Sequence, residues 1–308
     1  MLPSVENPTP LVQINRLNPS DTFTLFAKLE WMNPFGSVKD RAAARMIQAL
    51  EADQELSETR GIVEPTSGNT GLSLAALASV KGYPMRAVLP NKVPLTKKLL
   101  LKMAGADLQV INDELCPAPG LGDGSINMAK TYAKAQANRY VMPNQYENEN
   151  NVAAHQETTG PEIWNQTGGQ VTHVFVSLGT CGTVTGLATF LKGLNPDIKV
   201  IAVQPSEGHD VPGLRNVGQL EVSKLFNADL IDEILEIDYR LAYENSIKLF
   251  RSEGLRAGPS SGLIFEGAQQ TVASGVEGTG VMIFCDDLFK YTDNYVRHFP
   301  ELLEGTEP

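Results

Sequence analysis

The sequence is poor in the features that mark several large classes of protein. Cysteine is scarce: Cys116, Cys181 and Cys285 stand far apart without a CxxC spacing, which excludes a disulfide framework and fits reduced thiols in a cytoplasm. The four histidines, His155, His173, His209 and His298, form no HExxH or paired spacing, so no metal site is indicated. No apolar run approaches the length of a membrane span, and the N-terminus MLPSVENPTPLVQINRL lacks the basic start, apolar core and cleavage site of a secretory signal. Positive charge is in deficit. A formal charge of −11 and a pI near 4.9 argue against nucleic-acid binding, which needs a basic surface. A small anionic ligand needs only a local positive pocket, which helix N-termini supply whatever the remaining surface carries. There is no internal repeat at a fixed period.

At 308 residues and 33.4 kDa, the chain is long enough for two domains or one large α/β unit. With 42% hydrophobic and 20% charged residues it has the composition of an ordinary globular protein. Short β-branched runs alternate with helical stretches: 25–29, 41–52, 61–64, 70–81, 85–89, 96–103 and 108–111, then 172–177, 183–191, 199–204, 260–274 and 281–285. This is the alternation of parallel sheets covered by helices. The polar segment Asn144 to Asn151 reads as a crossing between two units, and Cys116 to Ser125 as a surface loop. The last residues, 301–308, are expected to fray.

Two Gly-rich segments each lie between a strand pattern and a helix pattern, where backbone N–H groups and the helix dipole hold anions. In Glu64-Pro-Thr-Ser-Gly-Asn-Thr-Gly71, the short donors Thr66, Ser67, Asn69 and Thr70 suit a carboxylate, although one such turn by itself is more often a helix cap. Gly179-Thr-Cys-Gly-Thr183 can wrap a phosphate but lacks the lysine of a nucleotide P-loop. Two anion-gripping turns together fit a ligand carrying both groups. Lys39 stands where a turn enters a helix near Asp40, a position that by itself favours plain solvation. Buried there, its pKa would fall, which suits Schiff-base formation. The segment Gly258-Pro-Ser-Ser-Gly262, followed by Asp286 and His298, matches the order of a serine hydrolase. Against that reading, Ser246 to Arg256 has the pattern of an amphipathic helix ending at Gly254, and an elbow needs a strand there. Gly120-Leu-Gly-Asp-Gly124 does not complete a dinucleotide fingerprint.

In order along the chain, NPTPLVQINRL, AKLEWMNPFGSVKDR, EPTSGNTG, NNVAAHQETTGPEIW, SLGTCGTVTG and AGPSSG resemble the fold-type II pyridoxal-5′-phosphate (PLP) family of cysteine synthases and cystathionine β-synthases. The resemblance covers nearly the whole chain and implies a two-domain, tryptophan synthase β-like α/β fold with twisted, parallel-rich sheets. The smaller, mobile domain would span 40–141, with 1–39 and 142–308 forming the larger, PLP-binding one. It implies that Lys39 carries the cofactor as a Schiff base and that Asn69 bonds the ring hydroxyl. Gly179, Thr180, Cys181, Gly182 and Thr183 would bind the phosphate, and Ser260 would face the pyridine nitrogen. Thr66, Ser67, Gly68, Asn69, Thr70 and Gln145 would hold the substrate carboxylate. The implied reaction is β-replacement through an α-aminoacrylate, giving L-cysteine from O-acetylserine or O-phosphoserine and sulfide. Serine condensed with homocysteine is the alternative within the fold. A homodimer is implied, and the chain's end soon after Tyr291 predicts a bare catalytic unit without a regulatory module or haem extension.

Three features stand apart from the commonest family pattern. Cys181 occupies a usual glycine position. Cys285-Asp286 replaces Pro-Ser and resembles the broader-specificity cysteine synthase subgroup, whose site is more polar. The segment Gly213-Leu-Arg215-Asn is similar to one that carries a substrate-reading arginine in O-phosphoserine-using enzymes. Arginine suits a phosphate through its planar fork, and a solvated loop arginine is the plain alternative. The leaving group stays open at this point.

Overall fold

A computed structural model describes residues 2–112 and 124–305. In chain order its elements are β1 (Leu11–Gln13), β2 (Phe23–Leu29), α1 (Lys39–Ala52), β3 (Gly61–Pro65), α2 (Asn69–Lys81), β4 (Met85–Pro90), α3 (Leu95–Met103), β5 (Asp107–Ile111), α4 (Gly124–Ala135) and β6 (Tyr140–Val141). They continue with α5 (Glu149–Ala154), α6 (Gly160–Gln166), β7 (His173–Ser177), α7 (Gly182–Leu194), β8 (Lys199–Pro205), β9 (Glu233–Ile237), α8 (Tyr239–Glu253), α9 (Pro259–Ala273), β10 (Gly278–Phe284) and α10 (Thr292–His298).

The strands form two sheets. One has the order β5-β4-β3-β6 and is parallel throughout; the other has the order β1-β2-β10-β7-β8-β9 and is parallel except where β1 meets β2. The β2–β10 pairing runs in register from Phe23 against Gly278 to Leu29 against Phe284, so strands from the two ends of the chain lie side by side within the larger sheet. Parallel strands covered on both faces need near-continuous apolar runs. β8 supplies one, with Val200 to Val203 all buried. The α/β fold class read from the sequence is the observed one.

Helix ends follow local chemistry. α8 stops at Gly254, whose φ of 72° is the left-handed conformation glycine adopts without penalty. α9 opens with Pro259 at its first position, where the missing N–H is no loss. The two helices pack closely: a Cβ on Gly262 would lie 2.0 Å from the carbonyl oxygen of Ala242.

Beneath the start of α1 lies a buried ion network that the sequence did not announce. Arg41 Nε meets Glu30 Oε2 at 2.7 Å and its Nη1 meets Glu162 Oε1 at 2.5 Å, while Lys28 Nζ meets Glu162 Oε2 at 2.6 Å. Thr9 adds its hydroxyl to Glu30 at 2.8 Å and its carbonyl to Lys28 at 2.8 Å. Two cations and two carboxylates balance, which is the condition for burying charge. Burial alone would raise the Glu30 carboxyl, yet Arg41 and Lys28 hold it at about 2.

The structure corrects several boundaries. α1 begins at Lys39 itself, and the segment read as a polar crossing ends in α5, whose N-cap is the Asn148 side chain accepting from the Asn150 N–H. The stretch read as a surface loop, Cys116 to Ser125, lies mostly outside the described residues.

Candidate active site

Lys39 is the first residue of α1 and is half-buried. Burial depresses its amine, and the nearby Cys285, Cys181 and Asp286 oppose that shift only in part. It is therefore not the solvated lysine that its local context favoured.

The turn after β3 leads into α2 and places Thr66 and Thr70 in the interior, with Ser67, Gly68 and Asn69 half-buried beside them. Thr70 Oγ1 donates to Gln145 Oε1 at 2.6 Å, so the turn after β3 and the segment between β6 and α5 meet. Asn69 is engaged differently. Its Nδ2 donates to Asp286 Oδ2 at 2.6 Å and its Oδ1 accepts from Lys290 Nζ at 2.9 Å. Asp286 also accepts from the Tyr291 hydroxyl, and its Oδ1 is buried without a hydrogen-bond partner.

The loop after β7 is built for an anion. Cys181 has φ 66°, the left-handed conformation, and is followed by the first turn of α7, so successive N–H groups converge at a helix N-terminus. A Cβ on Gly182 would come within 2.2 Å of Asn151 Oδ1, and one on Gly179 within 2.8 Å of the Gly213 carbonyl oxygen. Cys181 is buried in that loop, and burial pushes its thiol up to about 12, leaving it a neutral wall. Thr180 Oγ1 accepts from Asn151 Nδ2 at 2.9 Å, and Thr183 Oγ1 lies 3.2 Å from His155 Nε2. Burial, reinforced by the charges of Lys39 and Arg41, lowers His155 to about 3, so this imidazole stays neutral.

Ser260 lies in the first turn of α9, 6% exposed, beside Cys285, whose thiol lies 3.8 Å from Ser177 Oγ. Arg215 is 9% exposed, with its guanidinium 5.3 Å over the Tyr146 ring and its charge felt at Cys181; the plain alternative of a solvated loop arginine fails. The hydrolase reading fails as well. Ser260 is helical, and His298 closes α10 with its Nε2 2.9 Å from both oxygens of Asp210, so it pairs with that carboxylate and not with Asp286. No group of metal-ligating residues occurs among the described residues.

These side chains fit PLP. A depressed lysine amine can bond the aldehyde carbon, an anion cradle at Gly179 to Thr183 can take the phosphate, and the neutral Ser260 hydroxyl can meet the ring nitrogen. Sequence reasoning missed Glu64, Asn151 and His155 as parts of the site; all three lie within motifs that were noticed, but nothing local points to their partners.

A family profile described as pyridoxal-phosphate dependent enzyme matches residues 2–286. The cysteine synthase B of Escherichia coli is 36% identical over 296 residues, which cover 95% of each chain. A probable cysteine synthase of Bacillus subtilis is 39% identical over 264 residues, covering 82% of this chain and 83% of that one. Among solved structures, an O-ureido-L-serine synthase superposes with a TM-score of 0.85 at 28% identity, covering 100% of this chain and 96% of that one. A cysteine synthase from Entamoeba histolytica superposes with a TM-score of 0.84, also at 28% identity, covering 99% and 95%. With the family profile and these relatives matched along almost the entire chain, the protein belongs to the pyridoxal-phosphate dependent enzymes of the cysteine synthase family.

Proposed function

We propose that the protein makes L-cysteine by β-replacement, using O-acetylserine and sulfide, with O-phosphoserine as a second donor. The observation that carries the reading is the set of groups gathered at Lys39: Cys181 of the Gly179–Thr183 loop, Cys285 beside Ser260, and Asp286, to which Asn69 donates. Once bound, the cofactor supplies an electron sink for the charge left at the substrate's Cα, which loosens the β-substituent. Lys39, depressed by burial, takes the Cα proton as general base and holds it at Nζ. Thr66, Ser67, Gly68, Asn69, Thr70 and Gln145 hold the carboxylate. Ser260 is a neutral partner for the ring nitrogen and does not hold it protonated as an aspartate would, which favours loss of the β-substituent over transamination.

Arg215 supports the phosphate-bearing donor, because a nearly buried guanidinium over Tyr146 and beside Cys181 is positioned to read it. The test is a rate comparison with O-acetylserine, O-phosphoserine and serine, each with sulfide or homocysteine. Arg215→Ala should lower kcat/KM for O-phosphoserine about 10- to 100-fold more than for O-acetylserine, the scale of one charged hydrogen bond. Equal loss with both donors contradicts the role given to Arg215, and serine with homocysteine as the best pair contradicts the proposed reaction.

Residues 40–141 act in this reading as the smaller, mobile domain, closing on the larger as substrate binds. Separate apolar clusters on the two sheets support the division: those of Ala43, Ile47 and Leu74 and of Val63, Val88 and Tyr140 on the smaller, and those around Phe175 and Phe284 and around Val174 and Val200 on the larger. The working unit is a homodimer. Leu95, Leu99 and Met103 recur every four residues on α3 and are exposed, as is Val80 at the end of α2, an apolar row suited to a second copy. Solution scattering reads both features: a mass twice 33.4 kDa, and a radius that shrinks when an amino acid binds. A monomer, or a radius unchanged by the amino acid, contradicts the corresponding half. The free thiols of Cys181 and Cys285 support a reducing compartment, the cytoplasm, which cell fractionation checks.

A further inference from the structure

We infer that Glu64 is a positioning residue that clamps the backbone at Asn144 and Gln145, and thereby sets Gln145 as the joint between the carboxylate turn and the phosphate loop. The argument starts from an expensive choice: Glu64, near the end of β3, is a fully buried carboxylate with no cation beside it. Each of its oxygens is used once. Oε2 accepts the Asn144 N–H at 2.9 Å and Oε1 accepts the Gln145 N–H at 2.9 Å. Two successive N–H groups can converge on one carboxylate because Asn144 has φ 56°, a left-handed conformation that a non-glycine residue adopts only when its surroundings hold it.

The clamped residue reaches both halves of the site. Gln145 Oε1 accepts from Thr70 Oγ1 at 2.6 Å, its Nε2 donates to the Pro65 carbonyl at 3.4 Å, and its own carbonyl accepts from Asn151 Nδ2 at 2.8 Å. The same Asn151 Nδ2 bonds Thr180 Oγ1 at 2.9 Å. A displacement of the turn at Asn144 therefore moves a partner of the carboxylate grip and a support of the phosphate loop together.

Only the ionised carboxylate accepts from both N–H groups, since a protonated one turns one oxygen into a donor. Burial pushes the Glu64 carboxyl up to about 7, with the N–H groups of Gln145 and Asn144 opposing the rise; β4, β6, α2 and α4 around it bring no charge to bear. The sign for stability is opposite to that for function. A carboxyl raised in the folded state stabilises the fold fully below its ordinary value of 4.5, and that contribution is lost as pH rises through about 7. The ionised clamp at pH 8 is thus held at the expense of stability, which points to a use in substrate binding.

The inference rests on reading Thr66 to Thr70 and Gln145 as the carboxylate grip, and its test separates the two. Holoenzyme is titrated with L-alanine, which has no β leaving group, and binding is followed by the change in the cofactor's absorption. Gln145→Ala should weaken alanine binding; unchanged affinity there overturns the carboxylate-grip reading itself. Glu64→Gln, which offers one acceptor where two are needed, should weaken alanine binding and raise KM for O-acetylserine about tenfold or more at pH 8. Its kcat should change less than about threefold, and it should melt no lower than the unsubstituted enzyme. Alanine affinity untouched in Glu64→Gln but lost in Gln145→Ala overturns the clamp, as does a parallel loss of kcat, bound cofactor and melting temperature. If Glu64→Gln does not fold, pH decides: the unsubstituted enzyme should lose alanine affinity as pH falls through about 7, in a step that is smaller in Gln145→Ala, where the clamped backbone still reaches Asn151 but no longer Thr70, and a step of the same size in both overturns the inference.

Discussion

Replacing Lys39 by alanine should abolish the holoenzyme's absorption near the visible edge and lower the rate of cysteine formation by about 10⁴-fold or more, the scale of removing a group that serves both as covalent anchor and as general base. The geometry gives the amine no substitute. Lys97 and Lys290 lie nearby, but Lys290 is committed to the carbonyls of Phe35 and Gly36 and to Asn69. Lys97 sits 5.0 Å over the Tyr291 ring on the α3 side. The variant should remain folded, because the Lys39 side chain makes no hydrogen bond among the described residues, and its near-wild-type circular dichroism would separate lost chemistry from lost structure.

The second large effect concerns stability. Arg41→Met should destabilise the protein by about 3–5 kcal/mol, because it strands Glu30 and part of Glu162 as buried carboxylates without their main cation. Chemical denaturation of the cofactor-loaded protein measures it. Adding Glu30→Gln to Arg41→Met should cost less than the sum of the two single changes, since each single change leaves an uncompensated charge that the pair removes. Simple additivity would mean that the network is not coupled. Glu30 also fixes a pH window: its carboxyl is held at about 2 against an ordinary 4.5, so its contribution is complete above 4.5 and is lost as pH falls towards 2.

This network explains something about the recurring motifs. NPTP supplies Thr9, AKLE supplies Lys28 and Glu30, KDR supplies Arg41 and GPEIW supplies Glu162, and all meet beneath the first turn of α1. Three sequence signatures that announced a cofactor site also build the foundation beneath Lys39. Sequence patterns register which residues stand together along the chain. They do not say that Arg41 will face a glutamate more than a hundred positions away, and charged residues read by composition as surface.

What was legible was local. The turns at Thr66 to Thr70 and Gly179 to Thr183 mark themselves by glycine and short donors where the period changes from strand to helix. The apolar runs that became β4, β8 and β10 were visible for the same reason. The two-residue β6 and the half-exposed β9 lack a clear periodicity, so they were missed. Glu64 was quoted as the start of a motif and passed over, because its partners at Asn144 and Gln145 lie 80 and 81 positions on. Asn69 was read as a site residue from its motif alone, and its bonds to Asp286 and Lys290 are again between distant parts of the chain.

The central claim is that Lys39 is the residue that carries the cofactor. Reducing the holoenzyme with borohydride fixes the cofactor covalently to its lysine, and mass analysis of a digest then reads the position. The account predicts the added mass on the peptide containing Lys39 and none on those containing Lys97 or Lys290; the label on either of those lysines would contradict it.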